Sequence, residues 1–71
     1  MTESKANRQV NLKKEDGEVL VFDKNTGYLL GIISFDDGIF DVYLNDGTGE
    51  SSLVAKSQKE GIDYLKVNAL F

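Results

Sequence analysis

The side chains of this chain that could take part in chemistry are carboxylates, lysines, one arginine, serines, threonines and three tyrosines; histidine and cysteine are absent. The commonest general base and the strongest nucleophile at neutral pH are therefore missing, and no serine has a partner in the sequence that would activate it. Carboxylate pairs exist, but Asp36 and Asp37 fall in a polar insert that reads as a tight turn. Solvated carboxylates keep ordinary acidity, so the pair is not expected to serve as an acid and base. Structural zinc is excluded by the lack of both its usual ligands. The segment DVYLNDGTGE from Asp41 to Glu50 offers oxygen ligands for a hard cation, yet Val42, Tyr43 and Leu44 occupy places where a calcium loop alternates acidic or amide residues. Asn45, Asp46 and Gly47 are explained by turn chemistry, which is preferred to a weak surface site shared by Asp46 and Glu50. No enzyme activity, cofactor or metal is expected.

What remains is binding, through the tyrosines and lysines, and it depends on the elements that place them. The organising stretch is YLLGIISFDDGIFDVYL, Tyr28 to Leu44: two apolar runs around Asp36, Asp37 and Gly38, the pattern of a β-hairpin. Its first run is apolar at nearly every position and contains Gly31, neither of which suits an amphipathic helix. Before it, RQVNLKK from Arg8 to Lys14 alternates like an edge strand, and EVLVFD from Glu18 to Asp23 places Val19 and Val21 on one face, Leu20 and Phe22 on the other. After it, SLVAKS from Ser52 to Ser57 and IDYLKV from Ile62 to Val67 read as two further strands, with Lys59, Glu60 and Gly61 as their turn. Short glycine-marked connections imply antiparallel neighbours. The expected fold is all-β: an antiparallel meander of five to six short strands forming a strongly bent sheet or small open barrel. Residues 1–7 are expected to be a disordered basic arm, and 8–71 a single domain. An OB-fold has a helix between its third and fourth strands, and only the eight polar residues NDGTGESS after Leu44 occupy that place here, which argues against a standard OB-fold.

The pleat then divides the side chains. With Leu29, Ile33, Phe35, Phe40, Val42, Leu44, Leu53 and Leu65 on the core face, Tyr28, Leu30, Ile32, Tyr43, Lys56, Tyr64 and Lys66 share the opposite one, together with Asp41. That assignment assumes the register of the last strands, which one bulge would invert. Such an apolar face needs a cover. A homodimer, or a small second core under residues 1–14, is the first explanation. A stacking platform for single-stranded nucleic acid, with Lys56, Lys66 and the arm on phosphates, is the second. A docking site for another protein is the third, including an acidic imitation of DNA toward a DNA-binding protein.

Size and charge narrow the choice. A 71-residue chain buries only about 60% of the surface exposed when unfolded, so its margin is thin. With no disulfide to help, oligomerisation is the common aid that remains. The net charge of -4 conceals a basic start, where Lys5, Arg8, Lys13 and Lys14 face Glu3 alone, and an acidic body over 15–50, where Lys24 is the one base. No apolar run is long enough to span a membrane and the start MTESKANR is polar, so a cytoplasmic, soluble protein is expected.

KSQKEGIDYLKV, Lys56 to Val67, resembles a strand pair of short uncharacterised bacterial and bacteriophage proteins: a lysine-rich strand, a glycine turn and a Tyr-Leu-x-Val strand. The resemblance implies a small β protein encoded by a phage, with no activity or site residues attached. The expectation is thus a non-enzymatic β module acting through protein contacts, self-association among them, with single-stranded nucleic acid as the alternative.

Overall fold

The computed structural model describes residues 7–69. Residues 1–6 of the expected basic arm lie outside the described residues. Five strands, β1 (Val10–Glu15), β2 (Glu18–Asp23), β3 (Leu29–Asp36), β4 (Ile39–Leu44) and β5 (Leu53–Ala55), are followed by one helix, α1 (Gln58–Asn68). The strands form a single antiparallel sheet in chain order, β1-β2-β3-β4-β5, which is the open meander expected from the sequence. Two Asp-Gly pairs close its tight hairpins. Asp16 and Gly17 (φ 44° and 81°) join β1 to β2, and Asp37 and Gly38 (φ 51° and 85°) join β3 to β4. Two consecutive residues at positive φ make the turn whose twist matches that of the flanking strands.

The longer β2–β3 connection is built by Asp23. Its Oδ1 accepts from the backbone N–H of Asn25 at 2.8 Å and of Thr26 at 3.0 Å. Arg8 Nη1 approaches Asp23 Oδ2 at 3.5 Å, an ion pair without hydrogen-bond geometry, and so ties the start of the described chain to the same corner.

One expected strand is a helix. Residues 62–67 belong to α1, not to a sixth strand, so the strand pair implied by the resemblance over Lys56 to Val67 is not formed. Ser57 caps the helix: its Oγ accepts from Glu60 N–H at 3.1 Å, and Glu60 Oε2 accepts from Lys56 N–H at 3.1 Å. The two side chains thereby satisfy backbone donors at the helix entry in the manner of a capping box. Ile62, Leu65 and Ala69 then recur at helical spacing and turn toward the sheet, with Leu65 and Ala69 buried.

The helix lies across β3, β4 and β5. It comes close because two glycines face the contact: a Cβ on Gly61 would stand 3.0 Å from Ile33 Cδ1 and Val42 Cγ2, and one on Gly31 would collide with Leu65 Cδ2 and the Tyr43 carbonyl oxygen. Val21, Leu30, Ile33, Val42, Ala55, Leu65 and Ala69 make the buried core.

This core departs from the expected face in three places. Leu30, assigned to the outer face, is 1% exposed. The cause is a register shift: Val21 pairs with Gly31 but Phe22 pairs with Leu29, so Leu30 is an extra residue in β3. A bulge of this kind breaks the alternation, and it moves Leu29 outward to stand beside Phe22. Phe35, assigned to the core, is 57% exposed, since it projects near the hairpin tip and rests on Phe40 with ring centroids 5.0 Å apart.

Candidate functional site

With α1 on one face, the other face of the sheet has no element over it among the described residues. The register defines its side chains row by row. One row across the strands reads Lys13, Leu20, Ile32, Tyr43, and the next toward the bulge reads Asn11, Phe22, Leu29. On the other side of the first row stand Glu15, Glu18, Ser34, Asp41 and Val54. Two residues along a strand separate neighbouring rows, about 7 Å, and about 4.8 Å separates neighbours within a row. The open face is therefore an apolar band bordered along one side by an acidic row.

The apolar members of the band are half-buried, and none of them is among the side chains packed against the core. At the β3–β4 end the band runs into a pocket of about 270 Å³ lined by Leu29, Gly31, Ile32, Tyr43, Leu44 and Asn45, with Gly47 and Gly49 at its lip. The 45–49 loop is held over this pocket by its own polar groups. Asn45 Nδ2 donates to the Leu29 carbonyl at 2.8 Å, and Asn45 N–H to that of Leu30 at 3.1 Å. Asp46 Oδ1 accepts from Thr48 N–H at 3.0 Å and from Thr48 Oγ1 at 2.8 Å. The Thr48 backbone bond, more than any other influence, holds the Asp46 carboxyl below its ordinary pKa. The glycines leave the mouth of the pocket free of side chains.

Of the seven residues expected on one face, the structure brings Ile32 and Tyr43 together as direct cross-strand partners. Leu30 is in the core for the reason given above. Tyr28 stands before β3, exposed, with its N–H donating to Thr26 Oγ1 at 3.2 Å. Lys56 is exposed in the connection between β5 and α1. Tyr64 and Lys66 are on α1, on the far side of the sheet; Tyr64 packs against the core, while Lys66 joins Arg8 and Lys24 around a broad, shallow concavity. The three tyrosines do not share a surface. Leu20, Phe22 and Leu29 were absent from the expected face. For the first two the signal was available, because β2 is apolar on both sides.

Among the ion pairs of the described residues, Lys13 Nζ meets Glu15 Oε1 at 3.3 Å, whereas Glu18 and Asp41 have no cationic partner. No group of three or more carboxylates stands where it could hold a metal ion among the described residues, and no helix there is long and apolar enough to cross a membrane. The band presents apolar surface, one phenol, one hydroxyl and carboxylates in a row, an inventory for recognition. The chain matches no protein-family model, and no similar curated protein or solved structure was found.

Proposed function

We propose that this chain is a non-enzymatic protein-binding module whose contact surface is the open sheet face centred on Ile32 and Tyr43. The observation that carries the reading is that the sheet is apolar on both faces and α1 covers one. An apolar band with no element over it among the described residues is what a partner surface fills. The band's five apolar side chains, in two rows across β2, β3 and β4, suit a weak, transient contact below the size of standard interfaces. A second copy of the chain and a different protein both remain occupants of that surface. A reducing compartment suits a cysteine-free domain, and we place its action in the cytoplasm.

The nucleic-acid alternative has less behind it. Its platform required Tyr28, Tyr43 and Tyr64 side by side, and the acidic row borders the one tyrosine on the band. A mimic of DNA would carry its charge over a broad surface, whereas here the carboxylates adjoin apolar side chains.

The test is a photo-crosslinking residue in place of Tyr43, with the same residue in place of Lys59 on the exposed side of α1 as the control. Protein adducts from position 43 that are missing from position 59 support the reading, and their mass separates a second copy from another protein. Equal labelling from both positions, or adducts with nucleic acid alone, overturns it. Sedimentation of the wild type and of Tyr43→Lys adds a second measure: an assembly built on this face should become monomeric on placing an unpaired charge in it.

A further inference from the structure

The charge pattern of the open face says which class of partner fits it. A second copy brings the same surface, so its own Glu18 and Asp41 would be buried against an identical acidic row or against apolar side chains. Each copy also carries a net charge of -4. Among the described residues the cation of this face is Lys13, and Glu15 engages it at 3.3 Å. Self-association through the described residues would thus desolvate two carboxylates per chain with no free cation on the same face to offset them. A partner with an apolar stripe and cations along its edge meets no such cost.

The dimensions specify its form. From β2 to β4 the apolar part of the row, Leu20, Ile32 and Tyr43, spans two strand spacings, about 10 Å, which a helix covers in roughly six or seven residues, with Lys13 beyond its β1 end. The opposite face of the same sheet is already covered by a helix of 11 residues. A helix with its side chains has a radius of about 5–6 Å and neighbouring rows lie about 7 Å apart, so the long side chain of a lysine or arginine on one flank of a helix seated over Leu20, Ile32 and Tyr43 reaches Glu18 and Asp41. The pocket at the end of the band has room for one large apolar side chain from the same helix.

We infer that the occupant of the open face is a basic amphipathic helix of another protein, its apolar stripe crossing the strands over Leu20, Ile32 and Tyr43 and its basic flank over Glu18 and Asp41. This rests on the open face being a protein-contact surface.

The experiment uses two labelled 14-residue peptides, one a leucine stripe flanked by lysines and the other the same stripe flanked by glutamates, titrated by fluorescence anisotropy at physiological salt. The full chain is compared with three variants whose folding is checked by circular dichroism: Glu18→Lys/Asp41→Lys, Ile32→Ala, and Glu50→Lys/Asp63→Lys. The last makes the same charge change outside the row of Glu18 and Asp41. Wild type should bind the lysine peptide at least tenfold tighter than the glutamate peptide. Glu18→Lys/Asp41→Lys should lose at least tenfold and Ile32→Ala about fivefold, while Glu50→Lys/Asp63→Lys stays within threefold. Equal losses in the two charge variants would mean unspecific attraction and overturn the inference, as would equal binding of the two peptides. If the chain dimerises, Tyr43→Lys abolishes the dimer and the lysine peptide does not compete, the contact surface stands and the helical partner falls. If Tyr43→Lys changes neither assembly nor peptide binding, the surface itself falls.

Discussion

Gly31→Ala should be the most damaging methyl that can be added to this protein. The new Cβ would run into Leu65 Cδ2, which belongs to a side chain, and into the Tyr43 carbonyl oxygen, which belongs to the sheet backbone. Leu65 is fully buried and has little room to retreat. Overpacking of a tight core costs about 1–3 kcal/mol, and a backbone obstacle puts this case near the top of that range. Some is recovered from the unfolded chain, where replacing glycine by alanine removes conformational freedom worth about 0.4–1 kcal/mol. A net loss of about 2 kcal/mol is a large share of the roughly 4–10 kcal/mol that a domain of this length commands, and should lower the melting temperature by about 8–16 °C. Gly61→Ala is the internal control. Its Cβ would press at 3.0 Å on two terminal methyl groups that can shift, and alanine gains about 0.8–1.0 kcal/mol of helix propensity, so its net effect should stay within about 1 kcal/mol. Thermal and urea unfolding of both variants, with Leu65→Ala and the Gly31→Ala/Leu65→Ala double variant, completes the comparison. Shortening Leu65 removes one of the two collisions, so the double variant should lose less than the sum of the single ones. If Gly31→Ala is as stable as Gly61→Ala, the account of how the helix seats on the sheet is wrong.

Ser57→Ala should cost about 0.5–2 kcal/mol by stripping the helix cap, and a urea midpoint unchanged from wild type would show that the cap is idle. Ile33→Ala should cost about 2–5 kcal/mol because its side chain is wholly buried, while Phe35→Ala, at an exposed position, should stay within about 1 kcal/mol; the reverse order in denaturant melts would invert the assigned faces. The Asp23 carboxyl is held below its ordinary pKa, chiefly by the Thr26 backbone N–H, with further help from Asn25 N–H and Arg8 and against the opposing effect of burial. A carboxylate with a depressed folded pKa stabilises above the unfolded value and loses that contribution as pH falls through the folded one. Wild type should therefore lose stability on acidification below about pH 4 more steeply than Asp23→Asn, and parallel profiles of urea midpoint against pH would dismiss that role.

The strands were legible where alternation and turn chemistry agreed. Asp16-Gly17 and Asp37-Gly38 each sit between apolar runs, and each closes a hairpin at the place the sequence indicates. The helix was misread because Ile62, Tyr64 and Lys66 alternate as well as they recur, and Gly61 passed for a turn. In the structure it is the point of closest approach to Ile33 and Val42. The spacing Ser57-x-x-Glu60 ahead of an apolar segment was the signal for a helix start. The bulge at Leu30 had one local sign, Gly31 inside a strand pattern, which was read only as unfavourable to a helix; an extra residue leaves the apolar run itself unchanged, and pairing with β2 places the bulge. That one residue, with the helix, dispersed the expected tyrosine surface while leaving Ile32 and Tyr43 paired.

The order of the elements has a consequence for synthesis. Every strand pairs with its neighbour in sequence, so the sheet can assemble progressively as the chain leaves the ribosome, with short loops and little entropy to overcome at each step. The element that seals its core follows all five strands. Until Leu65 has emerged, the nascent sheet is apolar on both sides, a state prone to adhere to other chains or to chaperones. A premature stop within α1 would release the product in that form.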